Sequence, residues 1–136
     1  MIKLNPYLNF GDNCEEAFNF YKSVFGGEFT FIGKFGDMPG EMAVNESEAN
    51  KIMHVSLPVG DVDLMGSDTP SEFGLPNPGN NISVSVNVDS VDEANRIFNA
   101  LSDGGDILIP IDKAFFAQAF GMFVDKFGIR WMVNCQ

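Results

Sequence analysis

The sequence is short of most residues that mark a chemical specialist. Its 136 residues include two cysteines, Cys14 and Cys135, too few and too far apart for a disulfide framework or a paired-cysteine metal site, so free thiols are expected. His54 is the one histidine, and one imidazole does not make a His-rich ligand set. Basic side chains are scarce as well: eight Lys and Arg face nineteen Asp and Glu, a formal net charge of -11. A field of that sign repels phosphate backbones and anionic lipid, which argues against nucleic acid and membrane surfaces as partners. No apolar run approaches the roughly 20 residues that span a bilayer. The N-terminal MIKLNPYLNF lacks the basic start, apolar stretch and small-residue cleavage site of a secretory signal, so a soluble, cytoplasmic protein is expected.

What the chain does have is core material. Fourteen Phe, seven Met and a 45% hydrophobic share suffice for a single domain over residues 1–136, since a chain of this length buries roughly two thirds of its unfolded surface. From Leu4 to Phe10, Leu4, Pro6, Leu8 and Phe10 alternate with Asn5, Tyr7 and Asn9, the period of a half-buried strand. A turn at Gly11-Asp12 leads to a helix with Asn13 and Glu16 as a capping box. Ala17, Phe20, Tyr21 and Val24 form its expected buried stripe, and Gly26-Gly27 its stop. Glu28 to Phe35, Lys51 to Val59 and Val62 to Ser67 read as strands, the last two joined at Gly60-Asp61. Between them GDMPGEMAVNESEANK has no sustained period and is expected to be a mobile loop. DTPSEFGLPNPGN, with three prolines and two glycines, is a linker.

From Asn81 the pattern restarts. Ile82, Val84, Val86 and Val88 alternate with Ser83, Ser85 and Asn87, and Ser90 and Glu93 form a second capping box. Val91, Ala94, Ile97, Phe98 and Leu101 line a second helix, which Gly104-Gly105 closes. Ile107 to Ile111, Phe115 to Val124 and Ile129 to Cys135 read as strands. A shift of 78 lays Leu4 on Ile82, Asn9 on Asn87, Glu15 on Glu93 and Gly26-Gly27 on Gly104-Gly105. An internal duplication explains the joint match: a β-α-β-β-β module over about 1–68, a linker over about 69–80, and a second module over about 81–136. The expected fold class is α+β, with curved mixed sheets around a cleft.

Paired modules with NPYLNFGDNCEEAFNFYKSVFGG from Asn5, IMHVSLPVGDVDLMGSD ending at Asp68, and VDKFGIRWMVNC near the C-terminus resemble the PhnB-like family. That family belongs to the vicinal oxygen chelate superfamily of glyoxalases, bleomycin resistance proteins and dioxygenases. The resemblance covers nearly the whole chain and implies a glyoxalase-like fold and a homodimer. Members of the family often carry a demethylubiquinone methyltransferase label. No glycine-rich turn opens a helix here, and the double glycines follow helices, so the residues do not support methyl transfer.

The resemblance also marks where metal-dependent relatives keep ligands. The first-strand positions fall on Asn5 and Ser83, the last-strand positions near Met65 and on Met132, and a one-residue shift brings in Asp63. Amide, hydroxyl and thioether groups are poor partners for a hard or borderline divalent ion, so neither metal nor other cofactor is expected. The alternation groups His54 with Ile52 and Ser56, as a strand histidine or as a pocket proton donor or acceptor. With Leu4, Leu8, Val84 and Val86 assigned to the helix side, Asn5, Tyr7, Asn9, Ser83, Ser85 and Asn87 form a polar face. Tyr7, Asn9, His54, Ser85, Asn87 and Trp131 are thus the candidate contacts for a small polar or aromatic ligand, with Phe120 a further stacking surface. Asp68 and Asp125 read as turn residues. Three functions compete: metal-free small-molecule binding; a lyase, isomerase or dioxygenase that gathers its ion otherwise or uses His54 and Tyr7 as acid and base; and an interaction module with a filled cleft.

Overall fold

The computed structural model describes residues 1–37 and 46–136. Half of the expected mobile loop, 38–45, lies outside the described residues. The chain forms two compact units, Met1–Asn77 and Pro78–Gln136, with the division inside the expected linker. The first unit runs β1 (Tyr7–Phe10), α1 (Cys14–Phe25), β2 (Phe31–Lys34), β3 (Ile52–Val59), β4 (Val62–Asp68); the second runs β5 (Val84–Val88), α2 (Val91–Ser102), β6 (Asp106–Ala114), β7 (Ala117–Val124), β8 (Arg130–Cys135). Each unit holds a four-stranded sheet, ordered β1-β4-β3-β2 in one and β5-β8-β7-β6 in the other. The helix carries the chain across the sheet, so β1 lies parallel to β4 and β5 to β8, while the other neighbours are antiparallel. No helix among the described residues is long and apolar enough to cross a membrane.

The helices form because their apolar residues recur on one face. On α1 the buried set is Cys14, Ala17, Phe18, Tyr21 and Val24; Phe18 takes the place expected of Phe20, which is half-buried. Phe18 meets Phe10 and Tyr21 edge-on, at 6.1 and 5.4 Å between ring centroids. Gly66 makes room for it: a Cβ there would stand 2.6 Å from Phe18 Cε1 and 2.8 Å from the Leu8 carbonyl oxygen. On α2, Ala94, Ile97, Phe98 and Leu101 are buried as expected, whereas Val91, in the first turn, stays 37% exposed. Phe98 packs edge-on against Phe123 at 5.1 Å.

The caps differ from expectation in both units, less in the second than in the first. Ser90 Oγ accepts from the Glu93 amide at 3.1 Å, while the Glu93 carboxylate pairs with Arg96 instead of closing the box. Asn13 makes no side-chain cap bond. Its role passes to Asp68, at the end of β4, whose carboxylate accepts from the amides of Cys14 at 2.9 Å and Ile52 at 2.8 Å. Asp68 is therefore a buried clamp on α1 and β3, well beyond turn chemistry. It also closes β4, so the linker begins after it, and the linker carries a short 3-10 turn at Ser71–Phe73.

Two further expectations are corrected. The first strand begins at Tyr7, and Leu4 and the matching Ile82 are exposed and outside the strands, so neither faces a helix. Ile52 is buried while His54 is half-buried, because the β2–β3 register slips between Gly33 and Lys34. The irregularity breaks the simple alternation that grouped the two residues.

Candidate functional site

In each sheet one face is covered by the helix and the other carries the half-exposed side chains. On the first sheet, register places Tyr7 beside Met65, Met65 beside Ser56 and Ser56 beside Phe31, a row crossing all four strands. One step along, Asn9 pairs with Ser67 and His54 with Gly33. Rings lean together over this row. Tyr7 and His54 are stacked with centroids 5.6 Å apart, and His54 and Phe31 lie 5.7 Å apart. The Tyr7 hydroxyl is 3.1 Å from His54 Nδ1. Tyr7 and Phe31 remain 43% and 45% exposed, so the ring cluster meets solvent in a way a packed core would not.

On the second sheet the corresponding rows are Ser85, Met132, Met122, Ile109 and Asn87, Asn134, Phe120, Asp112. Asn134 Nδ2 donates to Asn87 Oδ1 at 3.1 Å. Phe120 is on this face and meets Phe116 at 5.0 Å. Equivalent rows therefore carry different chemistry: aromatic and imidazole groups in the first unit, thioethers and amides in the second.

Of the candidate contacts, Tyr7, Asn9 and His54 share the open face of the first sheet, and Ser85 and Asn87 that of the second. Trp131 does not belong with them. It is 1% exposed, and its indole Nε1 donates to Asp125 Oδ2 at 2.8 Å. Its neighbours in β8 explain this: Trp131, Val133 and Cys135 are buried, and Arg130, Met132 and Asn134 are not. Asp125 also accepts from the amides of Phe127 and Ile129, combining the expected turn role with anchorage of the indole. Phe31 is the residue of this row that the sequence hid, because only register brings it into line with Tyr7.

The positions that hold ligands in metal-dependent relatives do not suit an ion here. Asn5 lies outside β1, and its Oδ1 accepts from the Asp63 amide at 3.0 Å; the Asp63 carboxylate pairs with Lys3 at 3.0 Å. Ser83 precedes β5. Register sets Met65 against Tyr7 and Met132 against Ser85, donors ill-matched to a hard or borderline divalent cation. Among the described residues, no group of three His, Cys, Asp or Glu side chains is placed to hold a metal. Both cysteines are free and buried, and burial followed by the Asp68 charge pushes the Cys14 thiol up, away from the reactive thiolate.

Residues 2–134 match the sequence model of the 3-demethylubiquinone-9 3-methyltransferase family. Protein YjdN of Escherichia coli K12 is 30% identical over 139 aligned positions, covering 98% of this chain and 95% of its own. The crystal structure of PA1353 from Pseudomonas aeruginosa superposes with a TM-score of 0.90 at 42% identity, covering 100% of this chain and 98% of that one. The PhnB protein of Bacillus cereus follows at 0.80 and 24%, over 99% and 100% of the two chains. At the level of fold alone, the fosfomycin resistance protein FosX of Listeria monocytogenes matches at 0.68 and 9% identity, over 99% and 94%. Two mixed four-stranded sheets, each with one helix, and a family match over almost every residue lead to one assignment: the chain belongs to the PhnB-like 3-demethylubiquinone-9 3-methyltransferase family and has the glyoxalase-like fold of the vicinal oxygen chelate superfamily.

Proposed function

We propose that the protein binds a small polar or aromatic ligand on the open face of its first sheet, without a metal ion. The observation that carries this reading is the half-exposed run Tyr7–His54–Phe31, with its hydroxyl and imidazole 3.1 Å apart. Aromatic rings supply contact area and the polar pair supplies orientation, the usual division of labour in small-molecule sites. Phenol and indole serve as ring probes in a thermal-shift and NMR titration. Wild type should gain melting temperature and show shifts at His54, and His54→Ala and Tyr7→Phe should lose both responses. One tightly bound divalent ion per chain, in protein purified without chelator, would overturn the metal-free part.

The same 3.1 Å contact favours a second reading, an acid–base enzyme of the lyase or isomerase kind in which Tyr7 and His54 exchange a proton. Turnover of a carbonyl substrate that both substitutions abolish would select it. Methyl transfer is not part of the proposal. The turns into the helices are Gly11-Asp12-Asn13 and Asp89-Ser90, neither of them a glycine-rich cradle for a nucleotide-type cofactor.

We also propose a duplicated origin for the two units, supported by their shared strand order, and a cytoplasmic homodimer. Support for the dimer comes from β6, the edge of its sheet, where Ile107, Leu108 and Ile109 are 54%, 46% and 44% exposed. Antiparallel pairing of this edge with the same edge of a second copy would cover these side chains. Pro110 donates no hydrogen bond, so side-chain burial carries most of the pairing.

A further inference from the structure

Arg130 opens β8, beside Val124 of β7, on the face shared by Met132 and Asn134. Its Nε is buried and has no hydrogen-bond partner, the one such side-chain atom among the described residues. Of the two arginines, Arg96 pairs with a carboxylate and Arg130 is the one with a buried, unsatisfied nitrogen. Lys3, Lys22 and Lys51 each pair with a carboxylate as well. A dehydrated, unpaired donor is an unfavourable state for the free protein, and an incoming acceptor would relieve it. Further along the same face, Ser85 sits beside Met132 and adds a hydroxyl, and Asn87, whose Oδ1 is occupied by Asn134, adds amide donors.

We propose that Arg130 anchors an oxyanion site on the open face of the second sheet, taking the carboxylate or phosphate of a small organic anion. The planar fork of arginine matches two oxygens of such a group side-on. Its Nη atoms are the first point of contact, and a turn of the side chain then brings Nε into the pair. Acid-rich surroundings repel anions at long range, so selectivity rests on this contact and binding weakens with salt. This site is independent of the Tyr7–His54 cluster and stands or falls separately.

The test uses benzoate, phenyl phosphate and uncharged benzamide in calorimetric titrations of the whole protein. Binding of one or both anions is expected to depend on Arg130, whereas any benzamide bound by the first-sheet rings should be unaffected by Arg130→Met. Preference between benzoate and phenyl phosphate distinguishes a carboxylate from a phosphate site. Arg130→Met should weaken anion binding at least tenfold and Arg130→Lys by less, since lysine keeps the charge and loses the fork. Without ligand, Arg130→Met should melt no lower than wild type, because no hydrogen bond to Nε is lost. The proposal is overturned if neither anion binds, if Arg130→Met binds the anions normally, if Arg130→Met weakens benzamide as much as the anions, or if its unliganded melting temperature falls by several degrees.

Discussion

Single side chains decide more than their type suggests. Asp68 and Asp125 look alike in sequence, each at a strand end, yet Asp68 holds two distant backbone amides and Asp125 holds a turn and an indole. Asp68→Ala leaves the buried donors of Cys14 and Ile52 without acceptors, and at about 1–3 kcal/mol for each orphaned group a loss of roughly 2–6 kcal/mol in urea unfolding is expected. Glu48 supplies a pH-dependent contact. The Ser71 hydroxyl, then the Ser71 amide and Lys51, hold its carboxyl down to about 2, from an ordinary value of 4.5. A depressed carboxyl contributes stability that is complete above its unfolded value and fades as pH falls through the folded one. Stability against urea should accordingly fall less steeply from pH 5 to pH 2 for Glu48→Gln than for wild type. The amides held by Asp68 and the Ser71 partner of Glu48 lie 16 or more positions away, and the Trp131 contact depends on which way β8 faces, so these were not legible in the sequence, whereas the Asp125 turn was.

Elements were more legible than their ends. Both helices, the Gly60-Asp61 hairpin and the strand order within each module follow from period and turn residues. Boundaries moved by one to three residues at most strand ends. The repeat, too, slips: β1 and β5 end at Phe10 and Val88, a shift of 88 − 10 = 78, while α1 and α2 start at Cys14 and Val91, a shift of 91 − 14 = 77. The turn into α1 is one residue longer. Glu93 therefore corresponds to Glu16, and Gly104 to Gly27, the two glycines with φ of 79° and 82°. That longer turn accompanies the different caps, and it predicts unequal costs. Ser90→Ala should destabilise by about 1 kcal/mol, whereas Asn13→Ala, which breaks no cap bond, should cost less than half as much in the same denaturant titration.

At the scale of the whole molecule, the proposed homodimer is tested by light scattering on purified protein. Wild type is expected at twice the chain mass of 14.9 kDa, and Leu108→Lys, placing charge on the β6 edge, should shift the population to monomer without lowering helix content by circular dichroism. A wild-type monomer at high micromolar concentration would remove that proposal. The sequence by itself determined the family, the β-α-β-β-β order and the free cysteines, because period, turn chemistry and residue spacing are local properties. Only tertiary structure decided that Trp131 is core, that Phe31 joins Tyr7 and His54, and that Arg130 lacks a partner. Those facts depend on strand register and on which face a bulge turns outward, and both are set by contacts between segments far apart in the chain.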